Sequence, residues 1–136
     1  MMQTIGFDDS TILLQEIDSA TTLQLIEKGA LLLDVRETSE VAKLAYDVPN
    51  LVHLPLSELN SRYKELPNNA PIIVACKSGG RSLRAALFLL YNGYREVLNL
   101  QNGIVQWTIN GFPVRGNKGW IVENENAQFC CKVAYS

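Results

Sequence analysis

Cys76 closes the apolar run PIIVAC (residues 71–76) and opens the loop Lys77-Ser78-Gly79-Gly80-Arg81-Ser82. A cysteine attacks only as its thiolate, and a helix N-terminus with nearby cations favours that form. The segment predicts both conditions. A strand ends at Cys76 and a helix begins a few residues later, so the backbone N–H groups of residues 77–82 converge on one point. Gly79 and Gly80 open backbone angles closed to other residues and let an anion approach closely. Lys77, Arg81 and Arg84 add positive charge. The result is an anion cradle with a sulfur at its base, and its chemistry is nucleophilic.

Such a cradle suits attack on the phosphorus of a phosphate monoester, or attack on the sulfane sulfur of an anionic donor. Loop length separates the two. Four residues lie between Cys76 and Arg81, one fewer than in cysteine-dependent phosphatases. The shorter cradle is too tight for a tetrahedral phosphate but fits a persulfide. Ser82 stands where a phosphatase would need its arginine.

The elements that must hold this loop alternate along the chain. Residues 12–17 form a short apolar run, and Asp18 or Ser19 can cap a helix from Ala20 that stops at Gly29. Residues 30–35 (ALLLDV) and 51–56 (LVHLPL) read as buried strands, the second ended by Pro55. Ser57 caps a helix closed by Pro67. Residues 71–76 are rich in β-branched side chains, as a strand requires. Residues 82–91 (SLRAALFLLY) make a helix, 96–100 a fifth strand and 104–109 a last short helix. Repeated strand–helix units with short connections predict an α/β three-layer domain, with a central parallel sheet of about five strands and helices on both faces. Functional loops of such folds lie at the carboxyl ends of the strands, where Cys76 falls. The composition shifts after Arg115, so residues 1–115 are expected to form the domain and residues 116–136 a C-terminal extension.

Composition narrows the function. The 136 residues are 47% apolar and 19% charged, with a formal net charge of −2. That is a globular chain without the basic surface that nucleic acid needs. The first ten residues lack the regions of a signal peptide, and no apolar run is long enough to span a bilayer. A cytoplasmic protein that binds neither membrane nor nucleic acid is expected. Cys76, Cys130 and Cys131 form neither a disulfide framework nor a zinc pattern.

Several segments together resemble the rhodanese-like family of thiosulfate sulfurtransferases. LLLDVRE (residues 31–37) is similar to that family's strand and acidic turn, and LVHLPLSEL to its next strand and helix start. PIIVACKSGGRS is similar to its active-site strand and loop, and GYREVLNLQNGIVQWTINGFPV to its closing strand and helix. The resemblance covers roughly residues 17–114. It departs at residues 44–50 (LAYDVPN), which lack the histidine of the family's Gly-His-Ile-Pro-Gly-Ala segment. It implies that the Cys76 thiolate takes the outer sulfur of a small anionic donor such as thiosulfate, holds it as a persulfide, and yields it to a thiol, a protein acceptor or cyanide, with no cofactor and no metal. Residues 77–82 would bind the donor, with Lys77 steering it and Arg81 bracing the loop, while Asp34 and Arg36 support the loop from a neighbouring strand end.

Plainer readings stand beside these. Cys76 is a buried structural thiol if the domain is a non-catalytic binding or regulatory module that keeps the fold. Arg84 belongs to a solvated helix face. Asp34, Arg36 and Glu37 equally suit a surface ion-pair turn. His53 is a core or rim residue rather than a base, and Trp107 and Tyr91 are core rather than ligand platforms. Cys130 and Cys131 are inert thiols on a tail unless one of them resolves a Cys76 persulfide.

Overall fold

The structure is a computed structural model that describes the backbone of residues 2–7 and 10–121, with side chains from Leu14 onward. Five parallel strands form its centre: β2 (Ser10–Ile17), β3 (Leu31–Asp34), β5 (Leu51–His53), β6 (Ile72–Ala75) and β7 (Val97–Leu100). Their order is β2-β7-β6-β3-β5, and β1 (Met2–Phe7) adds an antiparallel edge beyond β2. The parallel sheet agrees with the sequence reading. The hairpin partner β1 was not foreseen, because residues 1–10 read as polar.

Alternation along β3 and β6 builds a core on each face of the sheet. Leu33, Ile72 and Val74 face one side, with Ala85, Ala86 and Leu89 of α4 (Gly80–Tyr91) and Leu59 of α3 (Leu56–Arg62). Leu32, Ile73 and Ala75 face the other, with Ile26 of α1 (Ser19–Glu27) and Ile104 and Trp107 of α5 (Gly103–Ile109). Strands covered on both faces must read as continuous apolar runs, and each fully buried Leu or Ile contributes roughly 1.5–3 kcal/mol.

The helix starts refine the sequence reading. Asp18 caps α1, its Oδ1 accepting from the Thr21 N–H at 2.8 Å. Ser57 caps nothing. The helix begins two residues earlier, at Leu56 with Pro55 in the cap position, and the Ser57 hydroxyl donates to Glu37 Oε1 at 3.0 Å. Two elements had no sequence signal: α2 (Thr38–Lys43), and a two-stranded sheet in which β4 (Leu44–Tyr46) pairs with β8 (Val114–Gly116). The chain then continues across the boundary drawn at Arg115. Asn117 N–H donates to the Lys43 carbonyl at 2.8 Å, and Ile121 is buried with Ile26, Leu44 and Trp107. Residues 116–121 thus touch the domain through Gly116, Asn117 and Ile121. Tyr91, expected in the core, is 69% exposed at the end of α4. No helix among the described residues is long and apolar enough to cross a membrane.

Candidate active site

Cys76 follows the last residue of β6, beside the ends of β3 and β7. Its side chain is 1% exposed. The loop doubles back over the sulfur, and the Gly79 N–H donates to Sγ at 3.0 Å. Gly79 has φ 111°, a left-handed angle that favours glycine. The next residue starts α4, whose first N–H groups have no partner within the helix. The Ser82 hydroxyl lies 3.3 Å from Sγ and donates to the Gly79 carbonyl at 3.1 Å. When the sulfur is a thiolate, the same hydroxyl can turn to donate to it.

A second helix holds the loop from behind. The N–H groups of Ile104 and Val105 in α5 donate to the carbonyls of Cys76 and Lys77, at 3.0 and 3.1 Å. This approach needs Gly103, because a Cβ there would overlap both carbonyls. The Tyr46 hydroxyl adds a donation to the Cys76 carbonyl at 3.0 Å. Burial, then the nearby Asp34 carboxylate, push the Tyr46 phenol well above its ordinary pKa against the opposing charge of Arg36, so it stays a donor. Residues 44–50, which depart from the family pattern, thus supply this contact.

The cations predicted around the thiol are placed unevenly. Arg81 forms a two-pronged ion pair with Glu40 of α2, at 2.6 and 2.8 Å. Glu40 Oε1 also accepts from the Glu37 N–H at 3.0 Å, which ties the loop to the start of α2. Burial raises the Glu40 pKa. The hydrogen bonds from Arg81 and the Glu37 backbone, with the charges of Arg81 and Arg36, outweigh that and hold it below the ordinary carboxylate value. Lys77 is only 5% exposed, and its ammonium lies 5.4 Å from the centre of the Trp120 ring. It is a buried stem, not the rim cation expected of a donor-steering residue. Arg84 is exposed on α4.

Asp34 and Arg36 form a fully buried pair. Arg36 Nη2 donates to Asp34 Oδ2 at 2.8 Å and its Nε to Oδ1 at 3.1 Å. Among the described residues Arg36 Nη1 has no hydrogen-bond acceptor, and the guanidinium lies 5.6 Å from the Tyr46 ring centre. The pair supports the turn after β3 from inside rather than shaping a surface. His53 serves the same turn, its Nε2 being 2.7 Å from the Arg36 carbonyl oxygen. Trp107 is buried core, its indole N–H on the Pro113 carbonyl at 2.8 Å. Cys130 and Cys131 lie outside the described residues.

A cleft of about 200 Å³ opens in front of the loop, lined by Ser78, Gly79, Gly80 and Leu83, with Gln101 and Asn102 after β7 and Glu16 from β2. It is smaller than the roughly 300–1,000 Å³ of sites for drug-sized ligands, so its occupant is small. Buried Asn99 joins the wall to the loop, its Nδ2 lying 3.4 Å from both Glu16 Oε1 and the Gly79 carbonyl. Sequence reasoning missed Glu16, Glu40, Tyr46, Asn99 and Trp120, all distant from Cys76 along the chain. A larger cleft of about 540 Å³ beside α1 is lined by Gln15, Thr21, Pro71 and Arg95 among others, and by none of the loop residues 77–82. No three His, Cys, Asp or Glu side chains gather into a metal-binding group among the described residues.

Comparison with known proteins agrees with this geometry. A sulfurtransferase of Allochromatium vinosum is 33% identical over 109 residues, covering 79% of this chain and all of that protein. The thiosulfate sulfurtransferase GlpE of Haemophilus influenzae is 28% identical, over 74% of this chain and 93% of its own. The crystal structure of a rhodanese-related protein from Thermoplasma volcanium superposes with a TM-score of 0.67 at 31% identity, covering 76% of this chain and 99% of that one. The family model described as Rhodanese-like domain matches residues 18–110, more than half of the sequence. The chain belongs to the rhodanese-like domain family.

Proposed function

We propose that the protein is a sulfurtransferase in which Cys76 accepts the sulfane sulfur of a small donor such as thiosulfate, holds it as a persulfide, and passes it to a thiol, a protein acceptor or cyanide. The observation that carries this reading is the placing of Sγ beneath the Gly79 N–H and beside the Ser82 hydroxyl, under a loop whose Ser78, Gly79 and Gly80 line a small cleft. The thiolate attacks the outer sulfur, the donor's S–S bond breaks, and the remainder leaves with the electron pair. Loop N–H groups then face the new sulfur. A reducing cytoplasmic compartment suits a free thiol that must not be locked in a disulfide. Sulfurtransferases at 28–33% identity, one named for thiosulfate, support the reading.

Intact mass after incubation with thiosulfate tests it, on wild type and on Cys76→Ser. Gain of one sulfur by the wild type alone, removed by cyanide or a thiol, is the expected result. Failure of thiosulfate, mercaptopyruvate and a hydropersulfide alike to load Cys76 would leave a binding module that keeps the fold without turnover.

A further inference from the structure

Asn99 is a polar side chain in a strand whose other residues are apolar. β7 reads Val97-Leu98-Asn99-Leu100, and alternation puts Asn99 on the face of Val97, which belongs to the same core as Val74 and Cys76. Parallel pairing sets it beside Val74 of β6, two residues before the cysteine, and beside Glu16 of β2 on its other side. The residue is 1% exposed. Both groups that its amide reaches are acceptors, the Gly79 carbonyl and Glu16 Oε1, each 3.4 Å from Nδ2. The nitrogen must face them, so Oδ1 is turned away and has no hydrogen-bond partner among the described residues. A buried acceptor left without a donor weakens the fold, and an apolar side chain of the same shape would avoid that loss. Packing alone therefore does not account for an amide at this position. Its reach to Gly79 does. The loop reverses at Gly79, with φ 111°, and the Gly79 N–H is the donor on Sγ at 3.0 Å. The Gly79 carbonyl accepts from the Leu83 N–H and the Ser82 hydroxyl, both at 3.1 Å, and these belong to α4 itself. Asn99 adds a donor from the sheet. The N–H groups of α5 hold the carbonyls of Cys76 and Lys77, and the Asn99 amide extends that hold to Gly79.

Resting on the sulfurtransferase reading, we propose that Asn99 is a positioning residue for sulfur transfer: its amide ties Gly79 to the sheet and keeps the Gly79 N–H aimed at the Cys76 sulfur. It acts through Gly79 rather than on the sulfur. A glycine in a left-handed turn has freedom to rock about its flanking bonds, and a tether on its carbonyl limits that motion. The N–H then stays in place as charge gathers on the sulfur, with no reorganisation at the moment of attack. The orphaned Oδ1 is the stability lost in holding the loop this way, as at other sites where function sets the side chain.

The test takes three readouts on the full chain: the rate of Cys76 loading by intact mass at saturating donor, hydrogen exchange at the Gly79 amide, and the denaturant midpoint. The donor is whichever of thiosulfate, mercaptopyruvate and a hydropersulfide loads the wild type. Asn99→Leu keeps the shape of the side chain and removes the amide. Asn99→Thr suits a strand, and its hydroxyl sits one bond short of the amide nitrogen, so it repeats the test if leucine disturbs the fold. Both variants are expected to load about tenfold more slowly, less than the roughly hundredfold of a full 1 Å misplacement. Exchange at the Gly79 amide is expected to rise, while the Ile104 and Val105 amides exchange as in the wild type. The midpoint of Asn99→Leu is expected to equal or exceed that of the wild type, which a merely structural role would not allow. Wild-type loading and Gly79 exchange in a folded variant overturn the role of Asn99 and leave the sulfurtransferase reading intact. Slower loading that follows a lowered midpoint, with Gly79 exchange unchanged, overturns it as well. Failure of every donor to load the wild type overturns both readings.

Discussion

Two helix N-termini converge on Cys76, and they act on different parts of it. The α4 terminus addresses the side chain, with the Gly79 N–H and the Ser82 hydroxyl both on the sulfur. The α5 terminus addresses the main chain, with Ile104 and Val105 holding the carbonyls of Cys76 and Lys77. Each start needs a left-handed turn, at Gly79 for α4 and at Asn102 and Gly103 for α5. The difference separates two tasks that a nucleophilic loop must combine. From behind, α5 sets where the residue stands, while α4 sets from in front what surrounds its sulfur. Perturbing α5 should therefore cost stability first, and perturbing α4 should cost chemistry first.

The largest expected effect lies on the α5 side. Gly103→Ala forces a methyl group into the carbonyls of Cys76 and Lys77 at φ 50°, and should destabilise the fold by about 3 kcal/mol or more. Denaturant unfolding would measure this, and a wild-type midpoint would break the comparison. Next comes the α4 side. Ser82→Ala should slow sulfur loading about tenfold, because it removes the hydroxyl that can turn to donate to the thiolate, and should shift the unfolding midpoint little. Equal losses of rate and stability would mean that the two helices do not divide their roles.

Tyr46→Phe sharpens the α5 side, since it removes one of the two donors on the Cys76 carbonyl. It should cost about 0.5–1.5 kcal/mol by chemical denaturation, with loading nearly unchanged. The smallest effect concerns the brace between α2 and the α4 start. The Glu40 pKa is held below its ordinary 4.5 in the fold. Its ion pair therefore adds stability above about pH 4.5 that fades as pH falls through the lower folded value. Glu40→Gln should remove about 0.2–1 kcal/mol at pH 7, because the pair is partly exposed, and should flatten the acid limb of the stability curve. An identical pH dependence in the variant would show that the brace contributes nothing.

What was legible in the sequence was local. The run PIIVAC, the two glycines and the amphipathic helix after them are contiguous, so strand, loop and helix could be read together around Cys76. The strands 31–34 and 72–75 showed as apolar runs because both their faces are covered. What escaped depended on contacts between distant residues. Nothing near Lys77 announces that Trp120 covers it, and nothing near Arg81 names Glu40 as its partner. Tyr46 sits in a three-residue strand, too short for any period to show, whose pairing with residues 114–116 exists only once the chain has folded back. Glu16 lay within a stretch read simply as strand, and only the parallel register with β7 brings it opposite Asn99 at the cleft. Ser57 and Tyr91 were misjudged for a related reason. A serine before a helical pattern and an aromatic at its end each have two ordinary uses, and tertiary contacts decide between them.

The near-complete burial of the Cys76 sulfur bears on regiochemistry. A disulfide-type S–S bond is about 2.05 Å long, so a sulfur attached to Sγ extends outward by that distance while the inner atom stays beneath Gly79. An incoming thiol can approach the outer atom in line but finds the inner one screened by backbone. Attack outside returns free Cys76 and a new hydropersulfide. Attack inside would expel hydrosulfide and strand the protein as a mixed disulfide. Under the proposed persulfide chemistry, the depth of one side chain would bias the domain toward passing a sulfur on, and away from being capped by an acceptor thiol.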